Sequence, residues 1–278
     1  MSMLGRALSA EVRKITTTRL WWVLALIMVS YVALTAGGIG ALFGAVASGS
    51  LSPEAGAGGP GAVTGIPDAA GMAPLVYSFA GTVGYVFSVL FGALIVTAEY
   101  RHGSIGPTFL QVPRRGIVFG AKLAVGALFG AAGGVLSLAG AMIPGAAVLA
   151  AFGLDPELGA GATWALAGRV VLAMAAWGAL GAALGALLRS QVAAIIIILA
   201  FTQFVEPLLR VAAMFSEPAS AIARYLPGSV SDSLIGASFY STMGTSAGLE
   251  WWQGGLVLAA YALLAALLAL VPWRRDVT

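Results

Sequence analysis

Six long apolar runs constrain this chain more than any other feature of its sequence. They cover roughly residues 21–47, 74–98, 116–143, 163–188, 191–212 and 254–271. Each run is long enough to cross a bilayer as a helix, which takes about 20 apolar residues. Backbone amides in hydrocarbon must be hydrogen-bonded internally, and the alternating pattern of a β-barrel is absent. The sequence therefore predicts an all-α polytopic membrane protein with six transmembrane helices.

Composition excludes a soluble alternative. The chain of 278 residues is 60% hydrophobic, and only 9% of its residues are charged. A soluble domain carries roughly 25% charged residues, and no single globular core of this size could hide so much apolar surface from water. We therefore treat residues 1–278 as a single transmembrane domain in contact with the lipid bilayer.

The placement of charge predicts the orientation of these helices. If the N-terminus lies in the cytoplasm, eight of the 11 acidic residues fall on the outer side and 11 of the 14 basic residues on the cytoplasmic side. These basic residues are Arg6, Arg13, Lys14, Arg19, Arg101, Arg114, Arg115, Lys122, Arg189, Arg274 and Arg275. Short cytoplasmic loops are enriched in Lys and Arg. We therefore expect a multi-pass protein of the plasma membrane with both termini in the cytoplasm.

The first 20 residues form a different kind of segment. An apolar stripe recurs there at steps of four, four and three residues and consists of Leu4, Leu8, Val12 and Ile15. Basic residues and threonines fill the other face, which predicts a helix lying in the cytoplasmic membrane interface over residues 1–20. A cleaved signal peptide is disfavoured, because the apolar run that follows exceeds an h-region of about 7–15 residues.

Motifs of catalysis and nucleotide binding are absent. The chain has no cysteine and one histidine, His102, so thiolate chemistry and an H-E-x-x-H zinc site are excluded. No Walker A pattern occurs, and the G-x-G-x-x-G at residues 56–61 lies between predicted spans rather than between a strand and a helix. The basic residues flank apolar runs instead of lining one face, so nucleic-acid binding has no support. We expect no enzyme activity, no cofactor and no metal on this chain.

Two further patterns predict how the spanning helices pack and what structure forms on the outer side of the membrane. Glycines four residues apart, at 126, 130 and 134 and at 181 and 185, favour close helix contacts within the subunit over a dimer contact. Residues 204–253 break the spanning pattern with prolines and predict short helices in an outer cap. There Glu206 and Arg210 lie four residues apart and are predicted to pair. An ion pair that anchors the cap is favoured over a role in substrate binding.

The most polar stretch, residues 98–122, joins the second and third predicted spans. It reads AEYRHGSIGPTFLQVPRRGIVFGAK, and its glycines and prolines break it into short pieces. Ile105, Phe109 and Leu110 give a small helix an apolar edge, which Arg101, Arg114 and Arg115 surround with charge. Such an element suits docking to another protein and equally suits anchoring in the inner leaflet, so the residues alone leave both interpretations open.

Three segments of the chain resemble ABC exporter permeases of the second type. The segment EYRHGSIGPTFLQVPRRGIVFGAKL is similar to the hallmark of that family, with Glu-Tyr-Arg, a Gly-Ser-Ile turn, a Thr-x-x-x-x-Pro run, an Arg pair and a lysine that enters the third span. The N-terminal SAEVRKITTTRLWWVLAL resembles the opening of the family, and YLPGSVSDSLIG resembles its segment between spans five and six. The resemblance covers nearly the whole chain.

This resemblance implies both a fold and a function. The fold has six transmembrane helices, an interfacial elbow helix and a short re-entrant outer hairpin before the last span. Residues 99–116 form a coupling loop that docks a separate ATPase, which holds ATP and Mg, and two permease and two ATPase subunits make the transporter. The residues expected to dock the ATPase are Glu99, Tyr100, Arg101, His102, Gly103, Ile105, Phe109, Pro113 and Arg114.

Apolar spans suit export of an amphipathic or lipidic cargo. Two other functions stay open: an ATP-independent secondary transporter or channel, and a membrane scaffold that recruits a partner without transport. Whether the second permease subunit is identical or different also stays open.

Overall fold

The protein is built almost entirely of α-helices. The computed structural model describes residues 3–51, 69–111, 114–213, 215, 217–238 and 248–275. Helices contain 86% of these described residues, which form no strand, and this confirms the predicted all-α polytopic class.

Twelve α-helices are described. In chain order they are α1 (Met3–Thr16), α2 (Leu20–Ala47), α3 (Ala69–Thr82), α4 (Tyr85–Arg101), α5 (Ile105–Gln111), α6 (Arg115–Ala151), α7 (Gly161–Leu188), α8 (Gln191–Ala200), α9 (Glu206–Ala213), α10 (Glu217–Ala223), α11 (Pro227–Ile235) and α12 (Trp251–Arg275). A π-helical turn, Phe201–Val205, joins α8 to α9.

In the described part of the chain, six segments are long and apolar enough to cross a membrane, and they match the six predicted spans. They are Leu20–Ala47, Gly71–Arg101, Arg115–Ala151, Gly161–Leu188, Gln191–Ala213 and Trp251–Trp273. The third span differs, because its predicted end at residue 143 precedes Pro144 whereas α6 continues to Ala151. Neighbouring helices let a membrane helix tolerate a proline. At 1.5 Å per residue α6 is about 55 Å long, so it extends beyond a hydrocarbon core of about 30 Å.

The second and fourth spans form the centre of the bundle. The most apolar part of the second span is 72% buried and that of the fourth 61%, against 22% for the first and fifth spans. Helix α7 approaches its neighbours through glycines: a Cβ at Gly181 would overlap the carbonyl oxygen of Val89, and a Cβ at Gly126 would lie 2.7 Å from the carbonyl oxygen of Gly178. The predicted packing of these glycines within the subunit is therefore confirmed.

Apolar side chains also cover the outside of the bundle. Leu34 of α2 is 75% exposed, Ile143 of α6 is 72% exposed, and Leu256 of α12 is 64% exposed. Such surfaces are stable in lipid, where apolar side chains need no cover. The chain is a multi-pass membrane protein.

The segment between the fifth and sixth spans turns back into the bundle. Helix α11 packs against α3, α7 and α12 and buries six of its residues, Asp232 among them. Trp177, midway along α7, donates from Nε1 to Ser231 Oγ at 3.0 Å. Gly236 ends α11 with a φ of 87°, a left-handed conformation that favours glycine. This re-entry agrees with a re-entrant helical segment before the last span.

Short helices lie at the two ends of the bundle. Helices α1 and α5 lie at the end formed by residues 3–20, 100–111, 114–116 and 188–191, which we call the basic end. Helices α10 and α11 belong to the opposite end.

Candidate functional site

Two glutamates and two lysines form a closed ring at the basic end. Lys122 Nζ lies 2.8 Å from Glu11 Oε2 and 2.8 Å from Glu99 Oε1. Lys14 Nζ lies 2.9 Å from Glu11 Oε1 and 2.7 Å from Glu99 Oε1. The four charges alternate in sign and sum to zero. We call Glu11, Lys14, Glu99 and Lys122 the basic-end ring.

The ring joins three helices that are distant in sequence. Glu11 and Lys14 are three residues apart on α1, so they share one face. Glu99 lies on the last turn of α4, and Lys122 lies near the start of α6. Lys122 has no exposed surface, while Glu11 and Glu99 are 4% and 6% exposed. Because an unpaired buried charge is costly, each of these groups depends on the others.

Lys14 also reaches the loop between the second and third spans. Its Nζ donates to Thr108 Oγ1 of α5 at 3.3 Å. Partial burial lowers the pKa of Lys14, but hydrogen bonds to Glu99 and Glu11 outweigh that effect and raise the pKa above its ordinary value of 10.5. Lys14 therefore stays charged at neutral pH and connects α1 to α5.

Trp273 of α12 holds the same loop from another side. The Phe109 ring stands edge-on to Trp273, with the ring centroids 5.5 Å apart, and Tyr100 approaches it at 6.4 Å. Trp273 Nε1 donates to the backbone oxygen of Arg115 at 3.1 Å. The Arg115 guanidinium stacks over Phe109 at 5.1 Å. These contacts fix α5 against the ends of α4, α6 and α12.

Part of the loop between the second and third spans is exposed on the surface of the protein. Leu110 is 85% exposed although it is a leucine. Gly103 has a φ of 64°, in the left-handed region that favours glycine, and turns the chain between α4 and α5. Arg101 Nη1 donates to Gln191 Oε1 at the start of α8 at 3.2 Å. We call the exposed residues of the loop the loop surface, and they are Arg101, His102, Gly103, Gly106, Pro107, Leu110 and Arg114.

Other residues predicted to dock the ATPase lie below this surface. Glu99 is buried because its charge must pair with the lysines, and the half-buried residues are Tyr100, Ile105 and Phe109. The last three pack against the apolar core because their side chains are largely apolar. They support the loop surface rather than form it. Pro113 lies outside the described residues.

Helix α1 is rotated relative to its predicted stripe. Its buried residues are Ala7, Glu11 and Ile15, while Leu8 and Val12 are half-buried and Leu4 is exposed. The pairing of Glu11 with two lysines turns the face that carries Ala7, Glu11 and Ile15 toward the bundle. The predicted stripe consequently keeps its leucines at the periphery, where lipid can contact them.

Sequence reasoning did not find the basic-end ring, although one signal for it was present. Lys122 stands inside an apolar run, where a lysine requires a partner of opposite charge. The sequence offered two glutamates near predicted helix ends at this side, Glu11 and Glu99. Their contact with Lys122 depends on how α1 crosses α6, which local patterns do not specify.

A second ion cluster lies toward the opposite end, where α3, α9 and α11 meet. Arg210 donates to Glu206 Oε1 from Nε at 3.1 Å and from Nη2 at 2.8 Å, and from Nη1 to Asp232 Oδ2 at 2.7 Å. Thr82 Oγ1 donates to Asp232 Oδ1 at 3.0 Å, and Ser238 Oγ donates to Asp232 Oδ2 at 2.9 Å. The predicted pair of Glu206 and Arg210 is confirmed. Sequence reasoning missed Asp232, and we call these three charged residues the Arg210 cluster.

The Arg210 cluster is buried inside membrane-spanning structure. Glu206 is 1% exposed, Arg210 7% and Asp232 8%. Glu206 and Arg210 belong to the fifth span, just after the π-helical turn. The cluster thus ties the end of this span to the re-entrant α11. It also borders a cavity of about 170 Å³.

No protein-family model matches this chain, and no curated protein matches it. Within the described residues, no group of three or more His, Cys, Asp or Glu side chains could hold a metal ion. The function is therefore argued from the basic-end ring, the loop surface and the Arg210 cluster.

Proposed function

We propose that this chain is the transmembrane subunit of an ATP-driven ABC exporter. In this proposal it lies in the plasma membrane with both termini in the cytoplasm, as the distribution of basic residues favours. It pairs with a second permease subunit, and each permease docks one ATPase subunit at the basic end. ATP and Mg are bound by the ATPases, and the permeases form the path of the cargo.

The observation that carries the proposal is the attachment of the loop between the second and third spans. Lys14 joins Thr108 of this loop to the basic-end ring, which links α1, α4 and α6, and Trp273 ties the loop to α12. The loop surface nevertheless remains exposed, and it includes Leu110 and the basic residues Arg101 and Arg114. A loop that only anchored the chain in lipid would not need such rigid support.

This attachment gives the loop a mechanical role. A flexible loop would absorb a push from a partner, whereas this loop passes displacement to α4 and α6 through paired charges. A ligand shifts a conformational equilibrium only through contacts that differ between the states. The ATPase pair, which closes on ATP, supplies such contacts at the loop surface.

Leu110→Asp tests this proposal. The tagged chain is purified from membranes of its own host, and any co-purifying polypeptide with a Walker A sequence is quantified. Wild-type chain is expected to recover such an ATPase. Leu110→Asp is expected to lower its recovery about tenfold or more, because a charge replaces an apolar contact at the centre of the interface. Phe109→Asp is a poorer test, since Phe109 supports the fold through Trp273.

Leu158→Asp is the matched control, since Leu158 is 44% exposed and lies between α6 and α7 at the opposite end. It is expected to leave recovery unchanged. The proposal fails if the wild-type chain recovers no ATPase, or if both variants recover as much as the wild type.

One observation favours a second candidate, an ATP-independent secondary transporter. Ionisable groups at membrane depth commonly mark ion paths, and the Arg210 cluster contains three such groups. Cargo flux through the purified chain alone in liposomes, driven by a proton or sodium gradient, would select this alternative. Flux that requires both the ATPase and ATP would select the exporter.

A further inference from the structure

We propose that the cavity beside the Arg210 cluster binds the ammonium group of an amphipathic cation. The inference names a cargo class for the proposed exporter and so rests on that function. The binding itself requires only this chain.

The first argument is charge. Two carboxylates face one guanidinium in the Arg210 cluster, so its described charged groups carry a formal charge of −1. An uncompensated charge inside a membrane protein is costly, and a bound cation removes that cost. The basic-end ring differs because its four charges sum to zero.

The second argument is an acceptor left without a donor. Arg210 Nε and Nη2 and the backbone N–H of Ser229 all donate to Glu206 Oε1. Glu206 Oε2 receives no hydrogen bond from the described residues, although Glu206 is 1% exposed. Glu99 Oε2 shares this feature but belongs to the neutral ring. Glu206 therefore supplies a carboxylate oxygen with unused hydrogen-bonding capacity in a cluster whose formal charge is negative.

The third argument is the lining of the cavity. The side chains of Tyr31, Phe79 and Tyr85 line it together with the Arg210 cluster. Aromatic faces attract cations and favour organic ammonium groups. An anion is disfavoured because the donors of Arg210 already face carboxylates. An inorganic ion is disfavoured because an aromatic wall replaces little of its hydration shell.

The fourth argument is size and access. The cavity of about 170 Å³ is close to the engineered cavity of about 150 Å³ that holds benzene. It therefore accommodates a head group but not a long acyl chain. Tyr31, on the first span, lines the cavity and is 49% exposed, so this part of the lining is accessible from the side of the bundle. An amphipathic cation could insert its head there and leave its tail in lipid.

The π-helical turn shapes this wall of the cavity. Pro207 has no N–H for the preceding turn, and its ring crowds the carbonyl group four residues earlier. The helix widens at Phe201–Val205, and Thr202 and Gln203 of this turn line the cavity. Tyr85 donates to the backbone oxygen of Thr202 at 3.5 Å, which joins the turn to α4. Such π-turns occur frequently at functional sites.

Equilibrium binding to the chain alone tests the inference. The purified chain is placed in phosphatidylglycerol nanodiscs, and saturable binding of radiolabelled dodecyltrimethylammonium is measured after subtraction of empty nanodiscs. We expect one site per chain and no displacement by dodecanol, an uncharged molecule with the same tail. Glu206→Gln keeps the shape and removes the charge, and it is expected to weaken binding about tenfold. Glu250→Gln, at an exposed carboxylate, is the control and should bind as the wild type does.

Tyr31→Leu keeps the test decisive if Glu206→Gln does not fold. It removes an aromatic face at a half-exposed position, and we expect weaker binding of the cation with an unchanged elution volume in size-exclusion chromatography. The inference is overturned if both variants bind as the wild type does. It is also overturned if dodecanol or sodium ions displace the probe as well as unlabelled dodecyltrimethylammonium does.

Nanodiscs of equal phosphatidylglycerol content, and therefore equal surface charge, are prepared with either an uncharged glycolipid or phosphatidylethanolamine as the second lipid. The comparison distinguishes two sources of the ammonium group, because a competing lipid ammonium is present only in the phosphatidylethanolamine nanodiscs. A weaker apparent affinity there assigns the site to a lipid head group, whereas an unchanged affinity assigns it to a free cargo, and both results support an ammonium site. No ATPase takes part, so failure to recover an ATPase would reject the exporter without changing this result.

Discussion

Lys122 shows how one charged side chain can be kept inside an apolar helix. It has no exposed surface, and it lies 2.8 Å from a carboxylate of α1 and 2.8 Å from a carboxylate of α4. Without its amine, Glu11 and Glu99 would share only Lys14, whose side chain is 43% exposed. We therefore expect Lys122 to contribute more to the stability of the fold than Lys14 does.

Lys122→Met is expected to lower the free energy of unfolding by about 3–5 kcal/mol, the usual cost of removing one partner of a buried ion pair. The measurement is unfolding of the purified protein in detergent, followed by intrinsic fluorescence. Arg13→Met serves as the control because Arg13 is an exposed basic residue of α1. Equal stability of the two variants would contradict a structural role for the ring.

At the scale of one element, α7 has one face that has no space for a side chain larger than glycine and another face that has such space. On one face, Gly181 meets the backbone of α4 at Val89, and Gly178 meets the backbone of α6. On the other face, a Cβ at Gly168 would meet no atom within 4 Å. Gly181 and Gly168 on the same helix therefore provide a test position and its control for the effect of an added methyl group.

Gly181→Ala is expected to destabilise the protein by about 1–3 kcal/mol, because the new methyl group forces α7 away from α4. Gly168→Ala is expected to be neutral or to stabilise the helix by up to about 1 kcal/mol, since alanine loses less backbone entropy. Thermal unfolding of both variants in the same detergent measures the difference. Similar midpoints would show that α7 and α4 are not in close contact.

At the scale of the whole molecule, the second span connects the two polar clusters. Thr82 near its middle donates to Asp232 of the Arg210 cluster, and Glu99 at its end belongs to the basic-end ring. This span is also the most buried of the six. If the proposed docking occurs, we expect movement at the loop surface to be transmitted along this span toward the cavity.

The proposed orientation can be tested on a cysteine-free background, because the natural chain contains no cysteine. His102→Cys, on the loop surface, is expected to resist a membrane-impermeant maleimide in intact cells and to react after permeabilisation. Leu158→Cys, at the opposite end, is expected to react in intact cells. The reverse pattern would place the loop surface outside the cell and exclude docking to a cytoplasmic ATPase.

The sequence predicted the architecture well and the polar clusters only in part. Span positions depend on apolar length, which is local, and the pairing of Glu206 with Arg210 follows from a separation of four residues on one helix. Asp232 joins that pair across 22 residues because α11 folds back into the bundle. Phe109 was expected at the surface because α5 is amphipathic, but its inward side depends on Trp273, far away in the sequence.

The zero net charge of the basic-end ring also limits which substitutions are tolerated at its four positions during evolution. Loss of one lysine alone leaves surplus negative charge in the interior, and loss of one glutamate alone leaves surplus positive charge. Substitutions at these four positions are therefore tolerated best in opposite-signed couples. Descendants of one ancestral gene should therefore lose these charges in pairs of opposite sign rather than one at a time.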